Sequence, residues 1–336
     1  MPIDPLALAR QLIDIPSPTG EELAAGNHLF ELLTRLGFRC TKQEAAPNRF
    51  NVLASTSAQP RVVLNTHIDT VPPWFASYDD DEFIYGRGAC DTKGIIAAMI
   101  AAAERLLADR IDNFAMLLVV GEETDSVGAK TANVAFKDLG SSYVLVGEPT
   151  ESKFARASKG AFTAFVKFSG VAAHSAYPYL GDSAINKMVA AIAEINAADW
   201  GHDDILGKAT VNIGVVHGGV KPNIVPAEAE CQCMFRLVTT PEDVRTRLET
   251  IIGPHDGTIT WTHGNVPQHM VVPDGAESTI VAFNTDVPHL GALGKPLLYG
   301  PGSILDAHGV NEKIGKSDLL EAVDTYYGTV VGLLGC

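Results

Sequence analysis

VLNTHIDTVP, residues 63–72, carries an apolar run straight into a histidine and an aspartate separated by one isoleucine, with prolines close behind. Strand side chains alternate faces, so His67 and Asp69 project to the same side while Ile68 points to the other. Two titratable groups then share one small space at the carboxyl end of a strand. In open α/β sheets that is the end at which ligands bind, so what the other apolar strands deliver there decides the reading.

MLLVVGEET (116–124) delivers Glu122 and Glu123, and VLVGEPT (144–150) delivers Glu148. The glycine-rich GRGACDTKG (86–94) precedes a strong helix former and puts Asp91 on the same rim. Taken singly, each has an ordinary explanation: Glu122 and Glu123 as a helix's first turn, Asp91 as a helix cap, Glu148 as a turn residue before Pro149. Together they form a cluster of carboxylates that repels itself unless cations neutralise it. Imidazole and carboxylate without thiolate point to Zn(II), with Co(II) or Mn(II) as alternatives. One histidine is few for such a site, and His308 in GPGSILDAHGVNE (300–312) is the candidate for a second. Cys90, Cys231 and Cys233 read as packing residues; His263, His269 and His289 receive no role.

The fold class follows from element order. Helical patterns cover 4–13, with Asp4 as its cap, and 21–36; strand patterns cover 51–54, 61–65, 115–120 and 143–146, with a helix over 95–108. Strands alternating with helices imply an α/β domain with a mainly parallel sheet flanked by helices. From about Lys159 the order becomes β-α-β-β-α-β: strand 160–168, helix 183–196, strands 210–216 and 228–237, helix 241–252 capped by Thr240, and strand 257–262. That is a ferredoxin-like α+β arrangement. Helix, strand and helix then resume, ending with 316–334. The expected architecture is a discontinuous domain, 1–158 and 265–336, with an inserted domain at 159–264.

A formal net charge of -15 over 336 residues argues against nucleic acid and anionic membrane surfaces as partners. The chain shows no signal-peptide pattern and no apolar run suited to a bilayer, and five scattered cysteines fit a reducing compartment, so cytoplasm is the expected location.

HIDT, GRGACDTKG, GEET, GEPT, AAHSAYP, HGGVKPNIVP and GPGSILDAHGVNE, in this order, resemble the di-zinc amidohydrolase and metallopeptidase family of aminoacylase, acetylornithine deacetylase, succinyl-diaminopimelate desuccinylase and glutamate carboxypeptidase. The resemblance implies two divalent ions, one held by His67 and Glu148, the other by Glu123 and His308, with Asp91 bridging and the Asp91–Thr92 peptide bond cis. It implies Glu122 as general base, Asp69 as the group that bonds the free nitrogen of His67, and His174 as the oxyanion donor reaching across from a partner subunit. It places Asn223 and Arg236 on the substrate's oxygen and α-carboxylate, and Gly302 and Ser303 beside the substrate near His308. It makes the inserted domain a lid and homodimerisation platform.

The implied reaction is metal-assisted hydrolysis of the amide bond of an N-acyl amino acid, with acetylornithine deacetylase as the nearest resemblance. NTDVPHL (284–290) stands where the desuccinylase carries a different segment. The alternatives are a dipeptidase or carboxypeptidase on the same scaffold, an N-acetyl-lysine or N-acetylcitrulline deacetylase, and a binding paralogue without catalysis.

Overall fold

In the computed structural model, residues 2–262 and 264–335 are described; His263, which received no role, lies outside them. The chain divides into two units, 1–156 with 269–279 and 285–336, and 157–268 with 280–284.

The first unit opens with α1 (Pro5–Ile13) and α2 (Leu23–Arg35). Asp4 caps α1, its carboxylate accepting from the N–H groups of Leu6 and Ala7. The hairpin β1 (Arg39–Ala46) and β2 (Arg49–Ser55) follows, then β3 (Val62–His67), α3 (Gly94–Ala108), β4 (Phe114–Val119), α4 (Val127–Ala135) and β5 (Tyr143–Val146). The second unit contributes β6 (Gly160–Ser169), α5 (Ala184–Ala197), β7 (Thr210–Gly218), β8 (Glu228–Leu237), α6 (Pro241–Ile252) and β9 (Gly257–Trp261). The chain returns to the first unit for β10 (Lys295–Leu298) and α7 (Lys316–Leu334).

The first unit's six-stranded sheet has the order β1-β2-β4-β3-β5-β10. The pairs β4–β3, β3–β5 and β5–β10 are parallel, and the β1–β2 hairpin adds an antiparallel edge. Every residue of β3 and β4 is buried, as strands covered on both faces require. α3 is buried along nearly its whole length, in one core with residues of α1 and α7.

In the second unit β7-β8-β6-β9 form an antiparallel sheet. Alternate residues of β8 are buried, including Cys231 and Cys233, which pack with residues of α5 and α6. Thr240 closes a full capping box at the start of α6.

Three local features depart from the pattern reading. β1 was unforeseen because RCTKQEAA is mostly polar and half-exposed; it is a strand because β2 pairs with it. α4 was unforeseen because Gly128 weakens its helix signal, yet a Cβ there would run into the backbone of Val120, so the glycine lets the helix dock. The helix expected soon after 265 does not form. Short strands and 3₁₀ turns, Val287–His289 and Gly291–Leu293, occupy that stretch, since Pro288 and the left-handed Gly294 (φ 116) deny a continuous helix. Among the described residues no helix is long and apolar enough to cross a membrane.

Candidate metal centre

β3 ends on His67, whose side chain is 1% exposed. Its Nδ1 lies 2.9 Å from the backbone carbonyl of Asp69. A carbonyl only accepts, so Nδ1 carries a proton and Nε2 is the nitrogen offered to the site. Nε2 faces Asp91 Oδ1 at 2.9 Å. The other oxygen of the same carboxylate, Oδ2, faces His308 Nε2 at 3.2 Å, and that nitrogen also lies 3.0 Å from Glu123 Oε2. Two imidazoles from opposite ends of the chain therefore share the two oxygens of Asp91.

Each candidate ligand comes from a loop at the carboxyl end of a strand or the start of a helix. Asp91 precedes α3 and caps nothing; the Asp91–Thr92 peptide bond is cis. Thr92 Oγ1 donates to the carbonyl of His67 at 2.7 Å, which ties the α3 loop to the end of β3. Glu122 and Glu123 occupy a turn rather than the first turn of α4. There the N–H groups of Thr124, Asp125 and Ser126 converge on the carbonyl of Gly121.

Asp69 has contacts beyond the expected one. Its carboxylate approaches His67 Nδ1 at 3.6 Å, within ion-pair range, and also takes up the neighbouring loop. Oδ1 accepts from the N–H of Gly121 at 2.8 Å and of Glu122 at 3.2 Å, and Oδ2 from Glu123 N–H at 3.3 Å and Thr19 Oγ1 at 2.8 Å. The backbone carbonyl of Asp69 orients His67, and its side chain holds the loop that carries Glu122 and Glu123.

Electrostatics describe a cluster short of positive charge. Burial, reinforced by the charge of Glu148, pushes the Glu122 carboxyl well above the usual range. Burial together with Asp91, Asp286 and Glu123 does the same to Glu148. Although burial opposes a charged imidazole, Asp69, Asp91 and Glu148 raise His67 well above its ordinary value. His308 is pushed up to about 10 by Asp91 and Glu123.

The donor set fits divalent cations. His67, Asp91 and Glu123 place atoms able to ligate within 4.8 Å of one another, and Glu123 Oε1 is buried with no hydrogen-bond partner among the described residues. Four ligands around a tetrahedral zinc ion stand roughly 3.3 Å apart, close to the nitrogen-to-oxygen spacings at Asp91. Glu148 is 4% exposed and lies outside the tightest group, its charge felt by Glu122 and His67.

The remaining predicted residues fall in two places. In the second unit His174 and Asn223 are exposed neighbours: His174 pairs with Ile224 across a short antiparallel ladder, and Ser175 N–H donates to the carbonyl of Asn223. Arg236 on β8 is half-buried, its guanidinium with no hydrogen bond or ion pair among the described residues, and burial lowers its pKa. In the first unit Gly302 has φ 84, and a Cβ on it would lie 2.8 Å from that of Cys90. Its missing side chain thus already has a packing explanation. Ser303 Oγ donates to Glu151 Oε1 at 3.3 Å. Pattern reading missed Arg87 and Glu312, a buried ion pair behind Asp91; their signal was nearness to Asp91 and His308 within GRGACDTKG and GPGSILDAHGVNE.

The family pattern described as the peptidase dimerisation domain matches residues 156–260. A peptidase M20 domain-containing protein of Sordaria macrospora is 35% identical over 98% of this chain and 85% of its own length. A probable carboxypeptidase of Aspergillus flavus is 36% identical over 96% of this chain and 88% of its own. Among solved structures, a tripeptidase from Staphylococcus aureus superposes with a TM-score of 0.82 at 23% identity, covering 99% of this chain and 100% of that one. An M20 family metallo-carboxypeptidase from Sulfolobus solfataricus gives 0.80 at 18%, covering 98% of each. These last two are likenesses of fold. Fold, cluster and relatives together define a metal-dependent hydrolase. The chain belongs to the M20 peptidase family.

Proposed function

We propose that this protein hydrolyses the amide bond of a small substrate with a free α-carboxylate, using two divalent ions, with zinc first and cobalt or manganese as alternatives. The observation that carries the reading is Asp91, which presents one oxygen to His67 and the other to His308, the arrangement a bridging carboxylate requires. His67, Glu148 and Asp91 would hold one ion and His308, Glu123 and Asp91 the other. Bound there, the ions would polarise the scissile carbonyl and ease deprotonation of water. Glu122 takes the proton of the attacking water and returns it to the leaving nitrogen. Asp69 keeps Glu122 and Glu123 in place.

Roles for the second unit rest on the motif resemblance: His174 as oxyanion donor from a partner subunit, Asn223 on the substrate's oxygen, Arg236 on its carboxylate, with Gly302 and Ser303 of the first unit near the substrate. A guanidinium without an acidic partner among the described residues supports the role of Arg236. The dimerisation-domain match supports a homodimer. As substrate we place dipeptides and C-terminal residues of short peptides first, because relatives matching 96% of the chain carry the name probable carboxypeptidase. N-acyl amino acids, including acetylornithine, are the second reading, favoured by the GPGSILDAH and HGGVKPN motifs.

The test is a rate screen of dipeptides, tripeptides and N-acetyl amino acids, with bound metal measured on the same sample. Peptide rates well above those of the acetyl compounds are expected. The opposite order would replace the first substrate with the second, and bound metal without any amide hydrolysis would overturn the enzymatic reading.

A further inference from the structure

Behind the ligands lies a pair of buried charges that the proposed reaction does not use. Arg87 and Glu312 are 1% and 0% exposed, and Arg87 Nη1 donates to Glu312 Oε2 at 2.6 Å. The other oxygen of Glu312 accepts the backbone N–H of Asp91 at 3.2 Å. The other donors of Arg87 reach two carbonyls, Pro73 through Nε at 3.2 Å and His308 through Nη2 at 3.4 Å. The backbone reinforces the link, since Gly86 N–H donates to the carbonyl of Glu312 at 3.0 Å. His308 sits at φ 62, a left-handed conformation that a non-glycine residue adopts only where its surroundings hold it.

We infer that Arg87 and Glu312 are positioning residues that set the metal centre by fixing the Asp91 loop and the His308 loop to each other. The inference rests on the two-metal reading above. Its physical basis is that a buried ion pair offers little net stability over apolar side chains of similar size, so its use here lies in what its remaining hydrogen-bonding groups hold. Those groups fall on the backbone of two proposed ligands, more than two hundred residues apart in sequence. Arginine is required because one planar fork serves Glu312 and two carbonyls together, which the single nitrogen of lysine cannot do.

The experiment compares wild type, R87K and the double variant R87M/E312L, each stripped with EDTA. Cobalt(II) is then titrated in, followed by visible absorption and by metal analysis after gel filtration, and thermal unfolding of the stripped proteins is recorded. The double variant removes both charges at once, so it should unfold cooperatively near the wild-type temperature. It should nevertheless bind cobalt 10–100-fold more weakly, as loss of groups that orient ligands does, with an altered spectrum. R87K should fall between. A folded R87M/E312L with wild-type affinity and spectrum overturns the inference, and if that variant does not fold, wild-type behaviour in R87K overturns it. A wild-type chain that takes up no cobalt overturns the two-metal reading itself, before any variant is compared.

Discussion

Glu122 and Glu123 are adjacent and identical in type, and their surroundings separate their roles. Glu123 Oε2 faces His308 at 3.0 Å, which commits it to the cluster, whereas the half-buried Glu122 makes no such contact among the described residues. Glu122→Gln should therefore keep wild-type metal content while turnover falls by about 10²- to 10⁴-fold, the usual contribution of a general base. Metal analysis alongside steady-state rates checks this, and near-normal turnover would remove Glu122 from that role. Both glutamates were legible in GEET, but the use of Asp69 was not. Alternation along a strand told us which face Asp69 shares with His67. It gave no account of the N–H groups of residues 121–123, which reach the carboxylate from a different strand's end.

Among elements, the glycines show where geometry rather than propensity decides. A Cβ on Gly300 would collide with the backbone carbonyl oxygen of Glu148, so Gly300→Ala should shift that backbone and, with it, the Glu148 carboxylate. The expected cost is about 1–3 kcal/mol of stability, together with weaker metal binding, read by denaturant melts and metal titration. Gly328, inside α7, has no atom near where a Cβ would stand. Gly328→Ala should stabilise the helix by roughly 0.5–1 kcal/mol and leave metal uptake unchanged. Equal responses from the two variants would show that the close approach at Gly300 is not what restrains Glu148. Long periodic elements such as α3, β8 and α7 were readable because apolar spacing specifies them alone. β1 and α4 were not, because each exists through a partner: β1 through its ladder with β2, α4 through the close approach that Gly128 permits.

At the scale of the whole molecule, charge sets how the protein answers metal and acid. Neighbouring carboxylates raise the proton affinities of His67 and His308, and burial with like charge raises those of Glu122 and Glu148. Zinc added to EDTA-treated protein should release protons into a weakly buffered solution and raise the midpoint of thermal unfolding. Zinc binding with neither effect would count against this cluster as its site. Acid acts elsewhere too. Burial, with the charge of Lys130 beside it, lowers His289 to about 4, while an unfolded histidine titrates near 6.5. The unfolded chain gains this proton first, so the stabilisation is present above about pH 6.5 and is lost as pH falls towards 4. His289→Gln should flatten the fall in stability across that window, and an unchanged slope in denaturant melts at pH 4, 5, 6 and 7 would refute it.

What the sequence determined by itself is the alternation of strands and helices, the ferredoxin-like order of the second unit, and the residue types that gather at strand ends. Each is a local periodicity or a short motif, which a chain expresses through neighbouring residues. What only the tertiary structure decided is who touches whom: the two oxygens of Asp91 divided between His67 and His308, Asp69 committed to the backbone of residues 121–123, and Arg87 joined to Glu312. Those contacts link residues tens to hundreds of positions apart. Their partners are set by packing of the folded chain, because a buried charge or N–H group must find a complement wherever the fold brings one within reach.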